Sequence, residues 1–131
     1  MNAHEEQFAL NFISSQKRER YLSFLRSEKG RKKLMTELDQ CDDLDKRYML
    51  PIKPAQQTAE NISNILQEKN APETCYVISS NSKTDAKEMS LHDALSKTVG
   101  YGAGTFISCI PGKLGYFEFE DPGKRYIIEK K

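Results

Sequence analysis

The sequence predicts an α+β fold: a helical N-terminal part, then a mainly antiparallel sheet ending in a three-stranded C-terminal β-meander, with the helices on one face. Three observations carry this. Pro-Gly-Lys occurs twice near the C-terminus, at Pro111–Lys113 and Pro122–Lys124, and divides residues 104–131 into TFISCI, GYFEFE and RYIIEK. Proline presets one position of a tight turn and glycine supplies the positive φ that the next often needs, so each repeat marks a hairpin. In the middle segment Phe117, Glu118, Phe119 and Glu120 alternate as a strand with one buried face does, and apolar residues upstream recur at helical spacing.

With 131 residues the chain fits one domain: a helical segment over 1–45 and a mixed α/β part over 46–131. In the first segment Phe8, Phe12 and Ile13 suit one amphipathic helix over 5–15, and Ser14 or Ser15 can cap a second carrying Tyr21, Leu22 and Leu25. Ser27 can cap a third with Leu34, Met35 and Leu38, and Gly30 favours a bend between Ser27 and Gly30. KRYMLPIKP (46–54) holds two prolines, which suits an edge strand or a linker. Ala55–Lys69 reads as a helix with Ala59, Ile62, Ile65 and Leu66 inward, and Thr74–Ser79 as an interior strand. Residues 80–88 form a polar loop. Ser90 with Asp93 opens a helix burying Leu91, Ala94 and Leu95, and Gly100 ends it as a left-handed cap.

Composition narrows the function classes. The net charge is +1, so no global field demands a nucleic acid or a membrane. No apolar run approaches a membrane span, and the opening Met-Asn-Ala-His-Glu-Glu lacks the regions of a signal peptide, so a cytoplasmic chain is expected. Cys41, Cys75 and Cys109 match neither a disulfide framework nor a zinc site. Cys75 and Cys109 fall inside strands, where a thiol acts as a small apolar residue, while Cys41 among aspartates is expected to be the most accessible. No metal and no cofactor is expected: the acidic run Asp39–Asp45 lacks the loop glycine and terminal Glu of a calcium loop, and no nucleotide or hydrolase fingerprint is present. The glycines at 100, 102 and 104 run from helix to strand, the reverse of a phosphate-binding loop.

Three constellations are candidates for function. The basic segment 17–33 offers Arg26, Lys29, Arg31, Lys32 and Lys33 as partner or phosphate contacts; the plainer reading is a solvated face paired with the acidic run that follows. A two-residue turn in the last hairpin would set Glu120 opposite Arg125 and Glu118 opposite Ile127. Glu118, Glu120 and Arg125 would then line an open sheet face, as in a small endoribonuclease, or form a weak exposed ion pair. His92 could pair with Cys109 in a thiol enzyme; His4 lies in an expected frayed terminus. The absence of a catalytic signature favours a non-enzymatic module of the immunity, antitoxin or regulatory type that binds another protein. A small enzyme on either constellation is the alternative, and a weak nucleic-acid binder through 17–33 the third.

Overall fold

The computed structural model describes residues 2–131. Asn2 caps helix α1 (Ala3–Phe12), its side-chain oxygen accepting from the His4 N–H, and Phe8, Ala9 and Phe12 face inward. Helices α2 (Arg18–Leu25) and α3 (Glu28–Leu38) meet at Arg26–Ser27. Ser27 caps α3 as expected, but Gly30 lies inside its first turn and not at the end of a bend. Helix α2 starts after Lys17, beyond a separate turn at Ser15–Lys17, without the expected cap from Ser14 or Ser15. Ser27 Oγ accepts from the Gly30 N–H at 3.0 Å, and a Cβ on Gly30 would stand 2.7 Å from the Phe24 carbonyl oxygen. Contact with the end of α2 therefore requires glycine here.

The edge strand β1 (Met49–Pro51) follows, then helix α4 (Ala59–Glu68), strands β2 (Thr74–Ser79) and β3 (Lys87–Ser90), and helix α5 (Leu91–Thr98). The meander is β4 (Thr105–Ile110), β5 (Leu114–Glu118) and β6 (Arg125–Glu129). All six strands form one antiparallel sheet in the order β1-β6-β5-β4-β2-β3. Two boundaries differ from expectation. The helix expected from Ala55 begins at Ala59, because Pro54–Gln56 closes a separate turn and Thr58 Oγ1 caps the helix proper, accepting from the Asn61 N–H. The polar loop after β2 ends early: Lys87–Ser90 pairs with Thr74–Val77 as the second edge strand.

The α+β class holds, but the helices lie on both faces. On one face Tyr76, Ile78, Phe106, Phe117 and Ile128 pack with α1–α3; on the other Cys75, Val77, Ile107, Tyr116 and Ile127 pack with α4 and α5. Every residue of β5, and all of β4 but Ile110, is buried. A strand covered on both sides reads as a near-continuous apolar run, and TCYVIS and TFISCI show that pattern. Phe117 therefore packs under the N-terminal helices, with Phe119 half-buried beside it, and not against Ile62, Leu66, Leu91 and Leu95, which cover the opposite face.

The last hairpin also differs from the expected register. Glu118 pairs with Arg125, Phe117 with Tyr126 and Tyr116 with Ile127. The connection is not a two-residue turn: residues 119–124 form a loop closed by the Phe119 N–H donating to the Lys124 carbonyl at 3.1 Å. Gly112 and Gly123 do adopt positive φ, so both Pro-Gly-Lys repeats turn as the sequence implies.

Candidate functional site

Cys75 and Cys109 lie in the α4/α5 layer and both are buried. Burial pushes the Cys75 thiol up to about 12, with the charge of Glu88 adding to it, and burial likewise pushes the Cys109 thiol well up. His92 stands on the solvent side of α5 while Cys109 lies beneath that helix, so the sequence pair is not assembled. Cys41 is buried too: at 3% exposed it is the most accessible of the three, as expected, but only by a margin over the 1% of the others. Its sulfur lies 3.3 Å from the Tyr21 hydroxyl, which donates to Asp43 at 2.8 Å, and burial raises the thiol despite that contact.

The meander glutamates separate. Glu120 is exposed, but Glu118 is 1% exposed and points into the α4/α5 face. Its carboxylate takes the Tyr116 hydroxyl at 2.7 Å, the Gly100 N–H at 3.1 Å and the Gly102 N–H at 3.4 Å, and Arg125 Nε lies 3.4 Å away. The expected open face of Glu118, Glu120 and Arg125 is corrected: Glu118 and Arg125 form a buried pair, and the longer loop carries Glu120 away. Arg125 turns its remaining arm to the Gln57 carbonyl at 3.3 Å. The glycine loop does cradle an anion, but the anion is the chain's own carboxylate.

The basic residues divide in the same way. Arg31 clasps both oxygens of Asp85 at 2.9 and 3.0 Å and also donates to Glu5, so it joins α3 to α1 and to the β2–β3 loop. Burial opposes its charge, and the hydrogen bonds and charges of Asp85 and Glu5 outweigh burial and raise its pKa. Arg31 is thus removed from the contact candidates. Arg26, Lys29, Lys32 and Lys33 are exposed, and among the described residues none is in an ion pair. Helical spacing sets Lys29, Lys32 and Lys33 on one outward face of α3.

The acidic run does not neutralise this face. Asp39 accepts the Ser80 hydroxyl at 2.6 Å and the Gly104 N–H at 2.8 Å; Asp43 holds Tyr21; Asp45 pairs with Arg47 at 2.7 Å. Among the described residues no three His, Cys, Asp or Glu side chains converge as metal ligands would, and no helix is long and apolar enough to cross a membrane.

One cluster escapes the sequence reading altogether. His4 is fixed, not frayed: its ring stacks on Tyr76 at 5.6 Å and its Nδ1 lies 2.7 Å from Ser108 Oγ. The Tyr76 hydroxyl donates to Glu5 at 2.7 Å, which links the pair to Arg31. Ser108 is buried beneath the imidazole, so the contact locks α1 to the sheet and offers no accessible nucleophile. The available signal was Asn2, a capping residue that argues for order one turn earlier than a frayed end. No family model, no curated protein and no solved structure matches the chain.

Proposed function

We propose that this chain is a non-catalytic protein-binding module of the immunity, antitoxin or regulatory kind, and that it docks an acidic protein surface on the outer face of α3. The observation that carries this is how the charges are used. Glu37 pairs with Arg20 at 2.5 Å, Glu5 and Asp85 with Arg31, and Asp39 with Ser80 and Gly104. Four acids beside the helix are thereby occupied within the fold. Glu28, at the start of α3, is exposed and in no ion pair among the described residues. Arg26, Lys29, Lys32 and Lys33, also unpaired, outnumber it and keep their charge free for a partner. A near-neutral protein then carries a local positive face, which favours complementary docking and fast association. A protein partner fits better than a nucleic acid, because both aromatics of α2, Tyr21 and Phe24, are buried and leave no stacking surface on these helices.

Panning a phage library of random dodecapeptides against the wild-type protein and against the Lys29→Gln/Lys32→Gln/Lys33→Gln variant tests the proposal. Acidic sequences should be enriched on the wild type, with recovery falling about tenfold or more on the variant. Equal recovery on both, or enrichment without acidic residues, would sink it. Cleavage of RNA by the free protein, lost in Glu118→Gln, would replace it with the hydrolase alternative.

A further inference from the structure

We infer that Tyr101 is the anchor residue of this docking face, held out by a clamped glycine loop for an acidic partner segment that places an apolar side chain on its ring. The inference rests on the protein-binding reading above. Tyr101 is 70% exposed, far more than the exposed Leu10 or Leu50. It stands between Gly100 and Gly102, whose φ values of 87° and 74° suit glycine. The N–H groups of those two glycines are the ones that donate to buried Glu118, and the Tyr101 N–H donates to the Thr98 carbonyl at 3.1 Å. Behind the ring, the Gly104 N–H is held by Asp39, and a Cβ on Gly104 would stand 2.2 Å from the Leu38 backbone.

The loop is thus fixed at both ends by carboxylates of the fold, yet its one large side chain is given to water. An aromatic ring on a pre-ordered loop offers contact area with little further ordering on binding, and tyrosine is among the residues that dominate interfaces. The surroundings set the partner's chemistry. Tyr101, Lys83 and Lys97 line a hollow of about 420 Å³ with Asn81 and Thr84. Neither lysine is in an ion pair among the described residues. Ser80, next to Asn81 in the chain, lines a second hollow with Lys32 and Thr36 of α3 and with Asp39. Asp39 Oδ1 accepts from the Ser80 hydroxyl and the Gly104 N–H, so Lys32 is the α3 charge nearest in the fold to the Tyr101 loop's own anchoring carboxylate. A single exposed ring among lysines fits one apolar side chain flanked by carboxylates, whereas a nucleic-acid strand calls for successive stacking surfaces.

Glu118 is then a positioning residue, acting through the loop. The same dodecapeptide library, panned on Tyr101→Ala, Tyr101→Phe and Lys83→Gln/Lys97→Gln, tests the assignment. Recovery should fall about tenfold on Tyr101→Ala and on the double lysine variant and survive on Tyr101→Phe, with melting temperatures unchanged for these exposed positions. If recovery ignores Tyr101→Ala but is lost on the triple α3 variant, the anchor is wrong and the protein-binding reading stands. If it ignores both, or the wild type enriches nothing, both are wrong. Glu118→Gln should speed amide exchange at Gly100 and Gly102 and lower recovery with Tyr101 intact; unchanged exchange would remove Glu118 from the assignment. Fluorescein-labelled decauridylate bound more tightly than about 1 μM and released by Tyr101→Ala would reassign the hollow to RNA.

Discussion

Replacing Glu118 with alanine would leave the Tyr116 hydroxyl, two glycine N–H groups and the Arg125 guanidinium facing an empty acceptor site. Arg125 Nε is already buried without a well-aligned hydrogen bond, so it has no second acceptor to turn to. Breaking a buried pair in this way costs about 3–5 kcal/mol, a large share of a domain's stability. Phe117→Ala should cost a similar amount, about 3–5 kcal/mol, because the ring is fully buried between Phe106 and Phe119. Glu120→Gln, at an exposed position, should stay within about 0.5 kcal/mol. Thermal melts of the three variants rank them, and a tolerated Glu118→Ala beside a damaging Glu120→Gln would show that the hairpin register is wrong. Alternation correctly places Phe117 and Glu118 on opposite faces. It could not show that both faces are covered, since a glutamate in a strand gives no sign of the donors that will meet it.

Among the elements, α1 depends most on a single contact network. His4 and Glu5 fasten its first turn to Tyr76, Ser108 and Arg31, and Phe8 and Phe12 fasten the rest to Phe106. Burial lowers the His4 pKa below its ordinary value of 6.5, although the charge of Glu88 works the other way. The unfolded chain therefore takes up a proton before the folded chain does, and stability is lost as pH falls through the ordinary value towards the depressed one. The melting temperature should decline between about pH 7 and about pH 5.5, above the carboxylate range, and His4→Gln should flatten that decline. A slope that His4→Gln leaves unchanged would show that another group carries it. The caps Ser27, Thr58 and Ser90 lie where each helix begins, and all three are local hydrogen bonds that neighbouring residues specify. The attachment of α1 to the sheet is not local. His4 and Ser108 are more than a hundred positions apart, and no pattern near either one announces the other.

For the whole molecule, the cover on the α4/α5 side of the sheet buries Cys75 and Cys109, while Cys41, in the segment after α3, is buried against Tyr21. Cys75 and Cys109 should resist a thiol reagent in native buffer and react together with Cys41 on denaturation, with labelling rates that follow unfolding; fast native labelling of Cys109 would contradict the layer in which it lies. The same arrangement explains the charged surface. Opposite charges are nearly equal in number along the chain, yet Glu37, Asp85 and Asp39 are drawn into contacts with Arg20, Arg31, Ser80 and Gly104, and Lys29, Lys32 and Lys33 are left outside with Glu28 as the one exposed acid of α3. By itself the sequence determined the class of fold, the turns at Gly112 and Gly123, the caps at Ser27 and Ser90, and the strand identities of 74–79 and 105–110, because each follows from short-range dihedral preference or from apolar periodicity. Only the tertiary structure decided which face each helix covers, that Glu118 is buried while Tyr101 is exposed, and which basic residues stay free, because pairing and burial depend on groups that folding brings together from distant parts of the chain.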